Sequence, residues 1–232
     1  MAQKNNNRVM IWDAPVRLFH WALATCVIVS VASGMTGGNA MQIHLWSGYT
    51  ILALVLFRLL WGFVGSSYAR FADFLYGPRA VWGFARTLFS RKPDRAAQSV
   101  HYAGHNPLGG WMVIAMLVLL LFQTSTGLFS NDDIVTEGPL VRLVRKDTSD
   151  WLTTLHKINS KIIIALAVTH VAAVLFHLFV KGENLIGAMI SGYKNLPEKV
   201  HSQSAHFRSS WLASVLFAVA VAGVYFLVQK PT

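Results

Sequence analysis

The chain has 232 residues, 54% of them hydrophobic, with eight Trp, fourteen Phe and a mean hydropathy of +0.45, which excludes an ordinary soluble domain of this length. The single cysteine, Cys26, excludes a disulfide framework and a cysteine-based metal site. The net charge of +10 is explained by where the charges fall along the chain rather than by a nucleic-acid patch.

Five apolar runs are each long enough for a bilayer, which takes about 20 residues per helix. Lys4, Arg8 and Arg17 lie at the start of the first, Val16–Met35. It lacks a small-residue cleavage pattern and others follow it closely, so it is expected to be a retained helix and not a signal. A short connection around Gly37–Met41 leads to the second run, Ile43–Val64, and makes the two antiparallel neighbours. Arg70, Arg79, Arg86, Arg91, Lys92 and Arg95 follow. Within this connection, Gly77–Phe89 opens with Pro78 and places Val81, Trp82, Ala85 and Phe89 on one face, which predicts an interfacial helix. Asn106-Pro107 supplies an N-cap and a first-turn proline for the third run, Leu108–Phe129.

The long loop Ser130–Asp150 is acidic, with Asp132, Asp133, Glu137, Asp147 and Asp150, beside Arg142, Arg145 and Lys146. The fourth run, Leu155–Val180, is followed by Lys181, Lys194, Lys199 and Arg208. The fifth, Trp211–Val228, has no ionisable residue, reads as a peripheral anchor, and is followed by Lys230. The expected fold is all-α: a polytopic four-helix membrane bundle over residues 1–195 and a C-terminal transmembrane anchor over residues 196–232. The Lys and Arg excess in alternate connections puts the N-terminus in the cytoplasm and the C-terminus outside.

That topology sorts the histidines by depth. His20 falls at the inner end of the first helix and His170 in the inner half of the fourth, while His44 and His156 fall at the outer ends of the second and fourth. His156 and His170 are fourteen residues apart, nearly on one helix face and separated by roughly 21 Å of rise. A single such histidine is as well explained by a hydrogen bond to a neighbouring helix. Two layers of paired imidazoles suit two stacked haems, each with two axial histidines. Gly48, one turn after His44, leaves room for a macrocycle, and Gly34, fourteen after His20, faces the outer layer. Arg58, fourteen after His44, sits near the inner layer, where it could pair with a haem propionate or snorkel to the surface. His177 competes with His170 as inner ligand but is closer to the cytoplasmic end. His101, His105, His201 and His206 are expected to be solvated or to face headgroups, and Lys157 and Lys161 to be ordinary interfacial lysines.

Four segments together carry a family resemblance: Trp12-Asp13-Ala14-Pro15-Val16-Arg17-Leu18-Phe19-His20-Trp21, His44-Leu45-Trp46-Ser47-Gly48, Gly104-His105-Asn106-Pro107-Leu108-Gly109, and the His156 to His170 spacing. Over roughly residues 8–195 the chain resembles the bacterial b-type cytochromes that include prokaryotic cytochrome b561 and the cytochrome b subunit of nickel–iron hydrogenases. The resemblance implies two non-covalent haems b, with His20, His44, His156 and His170 at ligand positions. The fifth helix is extra relative to the smallest members.

The resulting expectation is a bacterial inner-membrane dihaem cytochrome b in a respiratory chain, carrying electrons between a periplasmic partner and the quinone pool. The acidic loop would dock a basic soluble c-type cytochrome by electrostatic steering. The alternatives are the membrane-anchor subunit of a larger, hydrogenase-like oxidoreductase, a quinone-linked superoxide oxidase, and a haem-free transporter with histidine-lined sites. Membrane lipid is an expected partner and nucleic acid is not; a homodimer is left open.

Overall fold

The computed structural model describes residues 8–89, 104–195 and 205–229, so Lys4, Arg91, Lys92, Arg95, His101, Lys199, His201 and Lys230 lie outside the described residues. A short strand β1 (Arg8–Met10) precedes helix α1 (Ala14–Thr36). The helix begins where it does because the Asp13 carboxylate accepts the amide of Val16 at 2.8 Å, with a proline in the first turn. It ends at Gly37 and Gly38, both at positive φ, which reverse the chain through a single 3-10 turn into α2 (Met41–Val64).

After α2 come a four-residue helix α3 (Phe71–Phe74) and the amphipathic α4 (Pro78–Phe89). Helix α5 (Pro107–Gly127) starts at Asn106, whose side-chain oxygen accepts the Gly109 amide at 2.7 Å. Then follow α6 (Lys146–Phe179), a short α7 (Leu185–Ser191), strand β2 (Tyr193–Asn195) and α8 (Ser210–Val228). Strand β2 pairs antiparallel with β1, Val9 opposite Lys194, and ties the two ends of the bundle together on the basic side.

Five helices, among the described residues, are long and apolar enough to cross a membrane. Four follow the hydropathy runs to within a turn. Helix α6 begins nine residues before its apolar run and, at 34 residues, spans about 51 Å. Its first turns are polar and held by the preceding loop: Ser149, 1% exposed, donates to the Phe129 carbonyl at 2.7 Å and accepts from Nδ2 of the Asn131 side chain. Hydropathy sees the part of a helix that meets lipid; hydrogen bonding decides how far the helix continues into water.

Helix α2 is the centre of the bundle. Its Ile51–Val55 stretch, Phe57 and Trp61 are buried because α1, α5 and α8 all pack on it. Helix α8 lays Ala213, Ala220 and Val224 inward, and Phe217 meets Phe57 edge-on at 5.8 Å. The outward faces carry Ile28, Phe63, Val168, Phe179 and Phe226, as expected where lipid and not water is the solvent. Helix α6 packs chiefly on α5 and stands off from α1 and α2, which it approaches through histidine rings.

Candidate functional site

The four histidines singled out by depth meet in two pairs. His20 on α1 lies against His170 on α6 with ring centroids 6.3 Å apart, and His44 on α2 against His156 on α6 at 6.0 Å. Two imidazoles that bind one metal from opposite sides stand roughly 6 Å apart, twice the sum of a ~2 Å metal–nitrogen bond and a ring radius of about 1 Å. Both spacings fit that value. Among the described residues no group of three or more His, Cys, Asp or Glu gathers. Two opposed imidazoles, each with a ring nitrogen left free, would suit a haem iron held from both faces.

The pair on the side of the acidic loop is the more fully built. His44 Nδ1 donates to the Ser30 carbonyl at 2.8 Å, and His156 Nδ1 donates to the Gln123 carbonyl at 2.9 Å. A carbonyl can only accept, so each ring carries its proton on Nδ1 and keeps the Nε2 lone pair for a metal. The same device serves both rings. One turn beyond each carbonyl the neighbouring helix has a glycine: a Cβ on Gly34 would lie 2.9 Å from His44 Nδ1, and one on Gly127 would lie 3.0 Å from His156 Cε1. The Ser30 and Thr126 hydroxyls lie 3.3 Å from the two Nδ1 atoms. Asn159, 3% exposed, donates to the Leu119 carbonyl and the Gln123 side chain, which locks α5 against α6 beneath His156. A Cβ on Gly48 would meet nothing within 4 Å, so that face of α2 is open beside His44.

The pair on the basic side differs. His20 meets Trp21 edge-on at 5.1 Å, and its Nδ1 has no hydrogen-bond partner among the described residues. Arg58 does not snorkel: it is 2% exposed, donates from Nη2 to the Ala69 carbonyl at 3.0 Å, and lies over the rings of Phe71 and Phe74. Asp13 closes the floor, accepting Trp61 Nε1 at 3.1 Å in addition to capping α1.

His177 is occupied elsewhere, with Nδ1 3.1 Å from a Glu183 carboxylate oxygen. His206 is exposed, as are Lys157 and Lys161. His105 corrects the expectation of a solvated loop residue. It packs against Trp12 and Phe74, with both ring centroids at 4.7 Å, because the link between β1 and α1 and helix α3 fold over the segment leading into α5. Burial, then the nearby Arg58 charge and the His170 and His20 rings, push its imidazole down to about 3, so it is neutral at physiological pH. Ser30, Gln123 and Gly127 were not singled out in the sequence: Ser30 and Gln123 act through backbone carbonyls, and Gly127 stands on a helix with no histidine of its own to set a register.

A helical membrane bundle with two layers of paired imidazoles defines the class: a membrane cytochrome of the b type. A family profile described as prokaryotic cytochrome b561 matches residues 11–192, and the chain belongs to that family. Among similar proteins, the probable Ni/Fe-hydrogenase 1 B-type cytochrome subunit of Escherichia coli (strain K12) is 24% identical, over 84% of this chain and 95% of its own. The corresponding probable hydrogenase subunit of Azotobacter vinelandii is 25% identical, over 82% of this chain and 90% of its own. That of Rhizobium leguminosarum bv. viciae is 24% identical, over 79% and 87%. No solved structure matches the chain. The family implies haem b as the cofactor, and helix α8 lies beyond the matched residues.

Proposed function

We propose that the chain is the membrane cytochrome b subunit of a larger oxidoreductase, holding two haems b and passing electrons across the bilayer from a partner on the acidic-loop side to quinone. The carrying observation is the pair of ring separations, 6.3 and 6.0 Å, at two depths on one helix. His44 and His156 would hold the outer haem and His20 and His170 the inner one. Gly48 leaves the macrocycle room, and Arg58 pairs with a propionate. Haem held by two imidazoles supplies reversible one-electron transfer at iron. The protein's part is to fix the ligand nitrogens, exclude water and set the local charge.

The hydrogenase subunits among the relatives favour this subunit reading over the free-standing quinone-linked carrier expected from sequence. The N-terminus is cytoplasmic in this reading, so the acidic loop faces the periplasm, where an iron–sulfur or c-type electron donor would dock. Asp132, Asp133 and Glu137 then offer a negative surface to it.

Purification of the tagged chain from its own membranes, with pyridine haemochrome analysis and identification of co-purifying proteins, tests both halves. Two haems b per chain and a metalloenzyme subunit in stoichiometric amount are expected. A colourless, well-folded preparation would refute the haem reading, and a two-haem chain that never retains a partner would return the free-standing carrier.

A further inference from the structure

Two polar groups on the basic side of the bundle are shut away from solvent without a partner among the described residues: Nη1 of Arg58 and Nδ1 of His105, the latter near the His20 and His170 rings. Leaving a buried donor unpaired costs free energy, more so when it is charged. They come from different parts of the chain, α2 and the segment just before the α5 cap, and are brought together on one ring: the Arg58 guanidinium is 5.9 Å and His105 4.7 Å from the centroid of Phe74. Trp12 closes the far side of His105. The acids of this region are already used: Asp13 accepts Val16 N and Trp61 Nε1 through its two oxygens, and Asp73 pairs with Arg70.

A fixed cation and a neutral imidazole, each with one unsatisfied nitrogen, call for a group that is anionic and accepts twice. A carboxylate does both: one oxygen accepts from Nη1, and the other from an Nδ1–H of His105. We propose that Arg58 and His105 form a carboxylate-binding site that anchors a propionate of the haem held between His20 and His170, with His105 the second donor. The proposal rests on the haem-ligand reading above. It gives the half-buried segment Gly104–Pro107 a role: it carries a binding residue to the bundle before α5 begins.

The test uses the full-length chain with His105→Leu and His105→Asn, loaded either with haem b or with its propionate dimethyl ester. With haem b, His105→Leu should release the inner haem roughly tenfold faster or more, the range expected for losing a hydrogen bond to a charged group. The midpoint potential of that haem should fall, because a donor to the anionic propionate is lost. The outer haem, held elsewhere, should keep its spectrum and so serves as the folding control. His105→Asn retains a side-chain N–H and should recover most of the retention. With the ester, wild type and His105→Leu should behave alike. Equal retention and potential with haem b would overturn the proposal, as would a His105→Leu deficit that persists undiminished with the ester, which marks a packing role. A wild-type chain that holds fewer than two haems sinks the haem reading, and the proposal with it, before any variant is compared.

Discussion

The glycines that admit the outer histidines give the sharpest perturbation. In Gly34→Ala the new methyl would sit 2.9 Å from His44 Nδ1 and 3.1 Å from Cε1; in Gly127→Ala it would sit 3.0 Å from His156 Cε1 and 3.3 Å from Nδ1. Ordinary carbon contacts begin near ~3.5 Å, so either ring must retreat by about 0.5 Å. That displacement is as large as the ~0.5 Å within which a ligand must be held. It also pulls Nδ1 from its carbonyl, 2.8 Å away for His44 and 2.9 Å for His156. Loss of such an outer partner typically costs 10–100-fold in metal affinity, about 1.4–2.7 kcal/mol. The expected result is a chain that keeps its inner haem and loses the outer one on dilution, read as haem per chain falling from two toward one. Gly223→Ala on α8, where the methyl would meet nothing within 4 Å, is the control and should keep both. If Gly34→Ala and Gly127→Ala each retain two haems with unaltered spectra and dissociation rates, the slots are ordinary helix packing and the outer-site geometry is misread.

Asp13→Ala removes the α1 cap, worth about 1 kcal/mol, and leaves the Trp61 indole N–H unpaired at a further ~1–3 kcal/mol, so thermal unfolding in detergent should fall by several degrees while Asp13→Asn loses less. His177→Ala should leave haem content at two, whereas His170→Ala should reduce it to one; the reverse result would move the inner ligand by two turns. Desolvation is the largest single influence and pushes the Asp132 carboxyl up, but the hydrogen bonds from Ile134, Thr136 and Val135 together outweigh it and hold it down at about 2. Its lowered pKa means that the order it lends to 131–137 is fully present above the ordinary carboxylate range and is lost as pH falls toward 2. Amide exchange at Ile134, Val135 and Thr136 should therefore accelerate only in acid, and Asp132→Ala should show the fast rate at neutral pH.

The sequence disclosed the helices and the pairing of the histidines for one physical reason: lipid leaves few ways to arrange apolar runs, and Lys and Arg fix which ends share a side. Depth then paired His20 with His170 and His44 with His156. What holds the outer rings was hidden, because the acceptors are the backbone carbonyls of Ser30 and Gln123, which carry no residue signature. His105 was hidden for the opposite reason. A polar residue ahead of an N-cap reads as solvated, and only the folded chain brings Trp12 from one direction and Phe74 from another to cover it. The polar start of α6 was likewise invisible to hydropathy, being held by Asn131 and Ser149 across twenty residues of loop chemistry.

If the proposed dihaem reading holds, the two layers differ in a way that would set a direction for electrons. At the outer layer both ligand rings donate Nδ1–H to backbone carbonyls, which raises the basicity of Nε2 and favours the ferric state. At the inner layer His20 Nδ1 has no such partner among the described residues, and the Arg58 cation lies buried at 2% exposure, where water screens it least, over the Phe74 ring that His105 also meets. A buried positive charge favours the ferrous state, which carries one negative charge more. Both differences act in the same sense, so the inner haem should have the higher midpoint potential. Electrons would then run downhill from the acidic-loop side to the basic side, the direction a periplasmic donor and a quinone acceptor near the cytoplasmic face would need. A redox titration resolves the two midpoints, and the His44→Ala chain, which should keep only the inner haem, identifies which is which. An outer haem of higher potential would refute the argument and require the flow to be driven by the quinone pool instead. Arg58→Met supplies the complementary check, because removal of that charge should lower the inner midpoint alone.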